Sequence, residues 1–364
     1  MTDCIVVGGG LLGLLTARAL SHAGAKVVLL ERGETGRESS WAGGGIVSPL
    51  IPWEYPDAVS VLVNWSQLHY PILARELREE TGIDVEWVRC GLLMVDLELD
   101  RSIEAWAEDH HCRLRPLNGI QTKSMEPALA EGFRSSILLP EVAQIRNPRL
   151  CKALRVSLHL RGVAIHEHTP VLHCNTRGGM IQGVRTASGE YHAKQVVITA
   201  GAWSARLLRE TGLDLPIKPV RGQMIQFQTP PGLLSHIVLH QNHYLIPRLD
   251  GLTLAGSTLE DSGFDKGTTR EARDQLARSA TTLVPALSEC KLVRQWAGLR
   301  PGSPNGVPFI GEHPRIQGLF VNTGHFRNGV VMAPASVRLL QELMQKQTGF
   351  TDISPYALDR YAEP

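Results

Sequence analysis

The sequence has little that would commit it to nucleic acid, a membrane or an oxidising compartment. Its 37 basic and 36 acidic residues leave a net charge of +1, so there is no field to hold a nucleic acid or an anionic lipid surface. No apolar run approaches the roughly 20 residues needed to span a bilayer. The six cysteines (Cys4, Cys90, Cys112, Cys151, Cys174, Cys290) contain no C-x-x-C pair, a usage that fits a reducing, cytoplasmic setting better than a disulfide framework. His166 and His168 could share a strand face, but no further ligand pattern accompanies them, and no metal site is expected. Ile5 to Ala17 fails as the apolar part of a signal peptide, because no Lys or Arg precedes it and Asp3 and four glycines belong to the same stretch.

What the chain does have is 364 residues with 43% hydrophobic content, enough for two domains or for one large α/β domain with an insertion. Its most informative stretch is Asp3 to Glu31. A β-branched run, Ile5-Val6-Val7, leads into Gly8-Gly9-Gly10-Leu11-Leu12-Gly13. An apolar-periodic helix then runs to about Ala23, and a second run, Val27-Val28-Leu29-Leu30, ends on Glu31. Strand, glycine turn, helix and parallel strand in that order predict a dinucleotide site. Gly8 permits the tight turn, Gly10 lets backbone approach a pyrophosphate, and Gly13 lets the helix sit close on the strand. The helix N-terminus offers N–H groups to the anion, and Glu31 is placed to accept from ribose hydroxyls. No second G-x-G-x-x-G follows, so one dinucleotide must serve without a separate NAD(P)H site.

Beyond it, Ser39-Ser40-Trp41-Ala42-Gly43-Gly44-Gly45-Ile46 is too small and glycine-rich to pack a core, and is read as backbone that approaches a flat ligand. Leu62, Trp65, Leu68, Ile72, Leu73 and Leu77 predict a helix ending at Gly82, with a bend at Pro71. Val85 to Val88 and Leu92 to Leu97 read as strands, Asp100 to His111 and Pro148 to Arg161 as helices. Val163 to Val171, Met180 to Arg185 and Tyr191 to Thr199 form a meander. Thr199-Ala200-Gly201 should end a strand at a ligand crevice. Gln223 to Gln228, His243 to Pro247 and Leu252 to Ala255 read as strands and Arg270 to Leu283 as a helix. A strand from Leu319 leads through a turn into a closing helix from Val330 to about Gln345. The expected fold is α/β: a doubly wound, Rossmann-like dinucleotide domain (1–84, 140–218 and 301–364) with a second α+β substrate domain on an antiparallel sheet (85–139 and 219–300).

Several further motifs stand out: His168-Thr169-Pro170-Val171, Tyr244-Leu245-Ile246-Pro247-Arg248, Trp296-Ala297-Gly298-Leu299-Arg300-Pro301-Gly302 and Gly324-His325-Phe326-Arg327-Asn328-Gly329. With the glycine turn, Glu31, Ser39 to Ile46 and Thr199 to Gly201, they make the chain resemble, over nearly its whole length, the D-amino acid oxidase superfamily of flavoproteins. Within it the resemblance is to the glycine oxidases of the thiamine pathway. The resemblance implies that the dinucleotide is FAD. It implies contacts to it from Leu11, Leu12, Glu31, Arg32, Ser39, Ser40, Gly44, Gly45, Ile46, Val171 and the span His325, Phe326, Arg327, Asn328, Gly329, Val330 and Val331, beside Gly8, Gly10, Gly13 and Gly201. It further implies that Arg300 and Arg327 bind a substrate carboxylate, helped by the Tyr244 hydroxyl. The residue chemistry agrees for the arginines, since a guanidinium fork takes a carboxylate through two parallel charge-assisted hydrogen bonds.

The activity so implied is oxidative deamination of glycine and other small amines (sarcosine, small D-amino acids). Hydride transfer to flavin gives an imino acid, which water hydrolyses, while dioxygen reoxidises the flavin to hydrogen peroxide. The glycine imine would supply thiamine thiazole synthesis. Positioning carries most of this chemistry, and no histidine is expected to act as base. No cysteine lies beyond Cys290, so FAD is expected to be non-covalent. Leu259, Trp41 and Asn242 depart from the family pattern (methionine, a small residue and histidine respectively), and Leu259 is expected at the substrate. A homo-oligomer, a tetramer by the resemblance, is expected. The competing readings are a quinone-linked D-amino acid dehydrogenase and a non-catalytic FAD-binding subunit.

Overall fold

A computed structural model of the chain describes residues 2–361. Its first sheet grows around Thr2–Val7, whose neighbours are both parallel: Val27–Leu30 on one side and Gly189–Ile198 on the other. Ala164–His166 extends it parallel beyond Val27–Leu30. Leu319–Thr323 lies parallel outside Gly189–Ile198, and Phe309–Glu312 closes the far edge antiparallel. The run from Val171–Arg177 through Met180–Thr186 to Gly189–Ile198 is an antiparallel meander whose last two strands match the expected ones, while its first is Val171–Arg177 in place of Val163 to Val171.

Helices Leu11–His22, Asp57–Thr81, Asn147–Leu160 and Gly329–Met344 cover one face of this sheet. Leu11, Leu14, Leu15 and Leu20 recur at helical spacing, so one stripe of the first helix is buried with Val6, Val197, Phe320 and Met332. The opposite face buries Ile5, Val196, Ile198, Leu319 and Val321 under Leu208 and Leu213. Among the described residues no helix is long and apolar enough to cross a membrane, and all six cysteines are free thiols.

The second sheet runs Lys291–Gly302, Lys218–Gln228, Leu252–Gly256, His243–Pro247, Ile237–His240, Leu92–Val95, Ser135–Leu139 and Arg115–Asn118. Every pairing is antiparallel except Ile237–His240 against Leu92–Val95. The architecture is the α/β sheet plus mainly antiparallel sheet that the sequence predicts.

Local departures have physical causes. Of Val85 to Val88 only Val88 joins a strand, Val88–Arg89, because the Asp84 carboxylate accepts from the Glu86 N–H at 2.8 Å and Glu86 sits at φ 53°. Leu92 to Leu97 stops at Val95, where Asp96 turns at φ 58°. Val163 to Val171 divides into Ala164–His166 and Val171–Arg177, since His168 at φ 53° and Pro170 interrupt it, so His166 and His168 share no strand. The Asp57–Thr81 helix continues through Pro71 and ends, as expected, on left-handed Gly82.

Candidate functional site: a cavity with a glycine turn at one end and two arginines at the other

A cavity of about 550 Å3 opens above the C-terminal ends of the parallel strands, within the size range of small-molecule sites. Its floor is the glycine turn. Gly8 has φ 108°, and a side chain there would lie 2.7 Å from the Thr199 carbonyl oxygen, while a Cβ on Gly13 would lie 1.8 Å from the Gly8 carbonyl oxygen. The second distance is the close helix-to-strand approach that the sixth position of the motif demands. Thr199 secures the turn by donating its hydroxyl to the carbonyl oxygens of Val7 and Gly8, each at 3.0 Å.

Glu31 is buried, and its two carboxylate oxygens accept from the Gly9 N–H at 2.6 Å and the Gly33 N–H at 2.9 Å. The acid expected to meet a ribose therefore also ties its own strand end to the glycine turn. Ser40 Oγ accepts from the Leu11 N–H at 2.8 Å, so one helix N-terminal donor is already engaged. At this end Arg32 lies 3.5 Å over the Trp203 ring and pairs with Glu38 at 2.7 Å, which Lys266 also reaches at 3.0 Å. Val171 and Gly201 line the same region.

At the other end stand Arg300, Pro301 and the stretch around Arg327. Arg300 lies in the strand Lys291–Gly302, its guanidinium set against Gly222, where an added Cβ would fall 2.0 Å from Nη1. It donates to the Thr258 carbonyl oxygen at 3.1 Å and to Ser257 Oγ at 2.8 Å, neither of them charged. Burial holds its pKa below the ordinary arginine value; Arg327 acts in the same direction and Tyr244 in the opposite one. Among the described residues no carboxylate forms an ion pair with Arg300 or Arg327. Two cations thus stand at this end of the cavity without a carboxylate partner among the described residues.

His325 is buried at the same end. Its Nε2 lies 2.9 Å from Ser336 Oγ, whose hydroxyl donates to the Met332 carbonyl oxygen, so Nε2 carries the hydrogen and His325 is the neutral donor. Burial pushes its pKa down to about 3. The helix Gly329–Met344 begins at this wall and directs its N-terminal partial charge inward. Tyr70, from the long helix, holds that end by donating to the Val330 carbonyl oxygen.

Of the residues singled out in the sequence, Gly8, Gly10, Leu11, Leu12, Glu31, Arg32, Ser39, Ser40, Val171, Gly201, Arg300, His325, Phe326, Arg327, Gly329 and Val330 line this one cavity. Others do not. Gly44 approaches the Ile246 and Tyr244 side chains, Gly45 (φ 75°) approaches the Ile145 carbonyl oxygen, and Ile46 bridges to Gln144. Gly44 thus lets the small-residue loop dock on the second sheet, where Arg248 donates to the Gly44 carbonyl oxygen at 2.7 Å and Trp296 to that of Ala42 at 2.9 Å, while Gly45 and Ile46 dock it on the 143–145 segment. Gly13, Asn328 and Val331 are packed behind the wall. Tyr244 is 7% exposed, stands behind Arg300 beneath Gly256, and acts on the cavity only through that guanidinium. Leu259 is 50% exposed and off the cavity, because Thr258 and Glu260 on either side turn inward to Arg300 and Arg221. The sequence reading missed Arg206 and Asn322, which line the cavity. Of these Asn322 carried a signal, an amide in an otherwise apolar strand, Leu319–Thr323, that ends at the crevice.

The family model for FAD-dependent oxidoreductases, DAO, matches residues 3–343. The chain belongs to this family of FAD-dependent oxidoreductases. It is 48% identical to glycine oxidase of Pseudomonas aeruginosa and 46% identical to that of Pseudomonas putida, in each case over 97% of both chains. The crystal structure of glycine oxidase from Geobacillus kaustophilus superposes with a TM-score of 0.91 at 29% identity, covering 99% of each chain. The residues present fit FAD: the bare turn at Gly8 to Gly10 and the unpartnered amide of Asn322 both open on the cavity.

Proposed function

We propose that this protein oxidises glycine and other small amines, with FAD as cofactor and dioxygen as electron acceptor. The observation that carries the reading is the pair Arg300 and Arg327, two guanidinium groups facing the cavity with no carboxylate partner among the described residues. A partly desolvated cation without a counter-ion is costly, and a ligand carboxylate supplies that counter-ion through charge-assisted hydrogen bonds.

When bound, FAD supplies a two-electron acceptor that dioxygen restores, with hydrogen peroxide as by-product. The chain's own residues bind and orient. Arg300 and Arg327 take the carboxylate and so fix where the substrate Cα–H points; Ser257, the Thr258 carbonyl and Tyr244 hold the Arg300 fork. His325 stays neutral with Nε2 engaged by Ser336, so it serves the wall and not as a base. The amine enters unprotonated, and the helix N-terminus at Gly329 favours negative charge at the adjoining wall. No cysteine lines the cavity, which supports non-covalent FAD.

On this reading residues 1–84, 140–218 and 301–364 form the cofactor unit, and 85–139 with 219–300 supply the substrate wall. Supply of glycine imine for thiamine thiazole synthesis, a cytoplasmic location and a homotetramer complete the proposal. The test is an amine panel of glycine, sarcosine, D-alanine and D-proline read by peroxide release under air. Peroxide with glycine supports the reading. Flavin bleached by glycine without peroxide points to the quinone-linked dehydrogenase, and flavin that no amine bleaches points to a non-catalytic subunit.

A further inference from the structure

Asn322 has an unusual position among the polar residues of the first sheet. It lies in the strand Leu319–Thr323, on the same face as Phe320 and opposite Leu319 and Val321, so it sits beneath the helices Leu11–His22 and Gly329–Met344. It is 1% exposed. Both side-chain atoms, Oδ1 and Nδ2, are buried without a hydrogen-bond partner, and the residue lines the cavity. Its neighbours are satisfied: Thr323 donates to the Gly201 carbonyl oxygen and accepts from Ser204, and Thr199 donates to Val7 and Gly8. A buried amide with neither half paired is costly, and such exceptions call for an occupant.

The amide's chemistry narrows what that occupant is. Nδ2 donates and Oδ1 accepts, so a group that only accepts, such as a pyrophosphate, would leave Oδ1 unpaired. A hydroxyl does both. Position narrows it further. Leu319–Thr323 is two strands from the glycine turn, on the side away from Glu31, whose strand adjoins Thr2–Val7 on the other flank. At about 4.8 Å per strand, Asn322 and Glu31 stand roughly 14 Å apart across the sheet. If Glu31 faces the adenosine ribose, Asn322 faces the far side of the pyrophosphate. We infer that the Asn322 amide is a hydrogen-bonding seat for hydroxyl groups of the polyol chain that joins the flavin ring to the pyrophosphate of FAD.

The inference is tested on binding, so its outcome is separate from the choice of amine substrate. Apoprotein is titrated with FAD and with FAD analogues lacking single hydroxyls of the polyol chain, for the wild type and for Asn322→Leu, an apolar replacement of similar size. In the wild type, removing the hydroxyl that meets Asn322 weakens binding about tenfold. In Asn322→Leu, FAD itself binds about tenfold more weakly and that analogue is no longer discriminated. Thermal melting adds a readout of opposite sign: Asn322→Leu raises the melting temperature of the apoprotein, because it removes an unpaired buried amide, and shrinks the further rise that FAD produces. Wild-type protein that binds every deoxy analogue as tightly as FAD would overturn the inference without any variant. So would an Asn322→Leu apoprotein that is destabilised or unfolded, since the amide would then have a structural partner.

Discussion

At the glycine-turn end of the cavity the polar side chains Glu31, Ser40 and Thr199 are already bonded to backbone, whereas at the other end Arg300 and Arg327 bring two positive charges and no carboxylate. The first end recognises its ligand largely by shape and by main-chain groups, and its own bonds keep that shape in place. The second is electrostatically incomplete until an anion arrives. Arg248 sharpens the contrast. It is an arginine of the same sheet as Arg300, but it is buried and boxed by the Gly44 and Ile145 carbonyl oxygens and Gln144 Oε1, and burial lowers its pKa to about 10. Arg248 lies enclosed among carbonyl and amide oxygens, whereas Arg300 lines the cavity.

The largest expected effect falls on the incomplete end. Arg300→Ala should cost about 2–5 kcal/mol of transition-state binding, at least roughly thirtyfold in kcat/KM for glycine, while the protein stays yellow; steady-state kinetics beside a flavin spectrum check both halves. Arg248→Met reverses the pattern. It orphans three buried acceptors and should lower unfolding stability by about 1–3 kcal/mol in holoenzyme denaturation, with a smaller change in kcat/KM than Arg300→Ala.

His325 gives a pH signature. Its folded pKa of about 3 lies below the ordinary 6.5, so the unfolded chain takes a proton that the folded one refuses. Stability is complete above pH 6.5 and falls as the pH drops toward 3, by about 1.4 kcal/mol per unit. His325→Gln should remove that slope from the difference between variant and wild-type denaturation curves at pH 4 to 7. The smallest effect belongs to the satisfied end. Trp203→Leu deletes the platform under Arg32 and should weaken FAD by about 0.5–1 kcal/mol, with the KM for glycine unchanged.

The strand–turn–helix–strand unit was legible because each of its requirements is local: a glycine for a left-handed turn, another for helix contact, an acid at a strand end. Gly44 and Gly45 show where legibility stops. A glycine that lets backbone approach Ile246 or the Ile145 carbonyl is indistinguishable in sequence from one that lets it approach a ligand. Leu259, expected at the substrate from the resemblance alone, is 50% exposed and outside the cavity lining, a side-chain direction that a loop offers no period to read. Arg115–Asn118 went unseen because Pro116 argues against a strand, and it is tolerated because this strand forms the sheet's edge. Asn322 was visible but ambiguous, since only the fold shows that its amide lacks a partner.

The most direct measurement is a titration of the oxidised holoenzyme with a small unreactive carboxylate, acetate, followed by the flavin absorbance spectrum. A saturable spectral change in the wild type that is lost or shifted to at least roughly thirtyfold higher concentration in Arg300→Ala is the predicted result. The same midpoint in both proteins would contradict a carboxylate seat at Arg300.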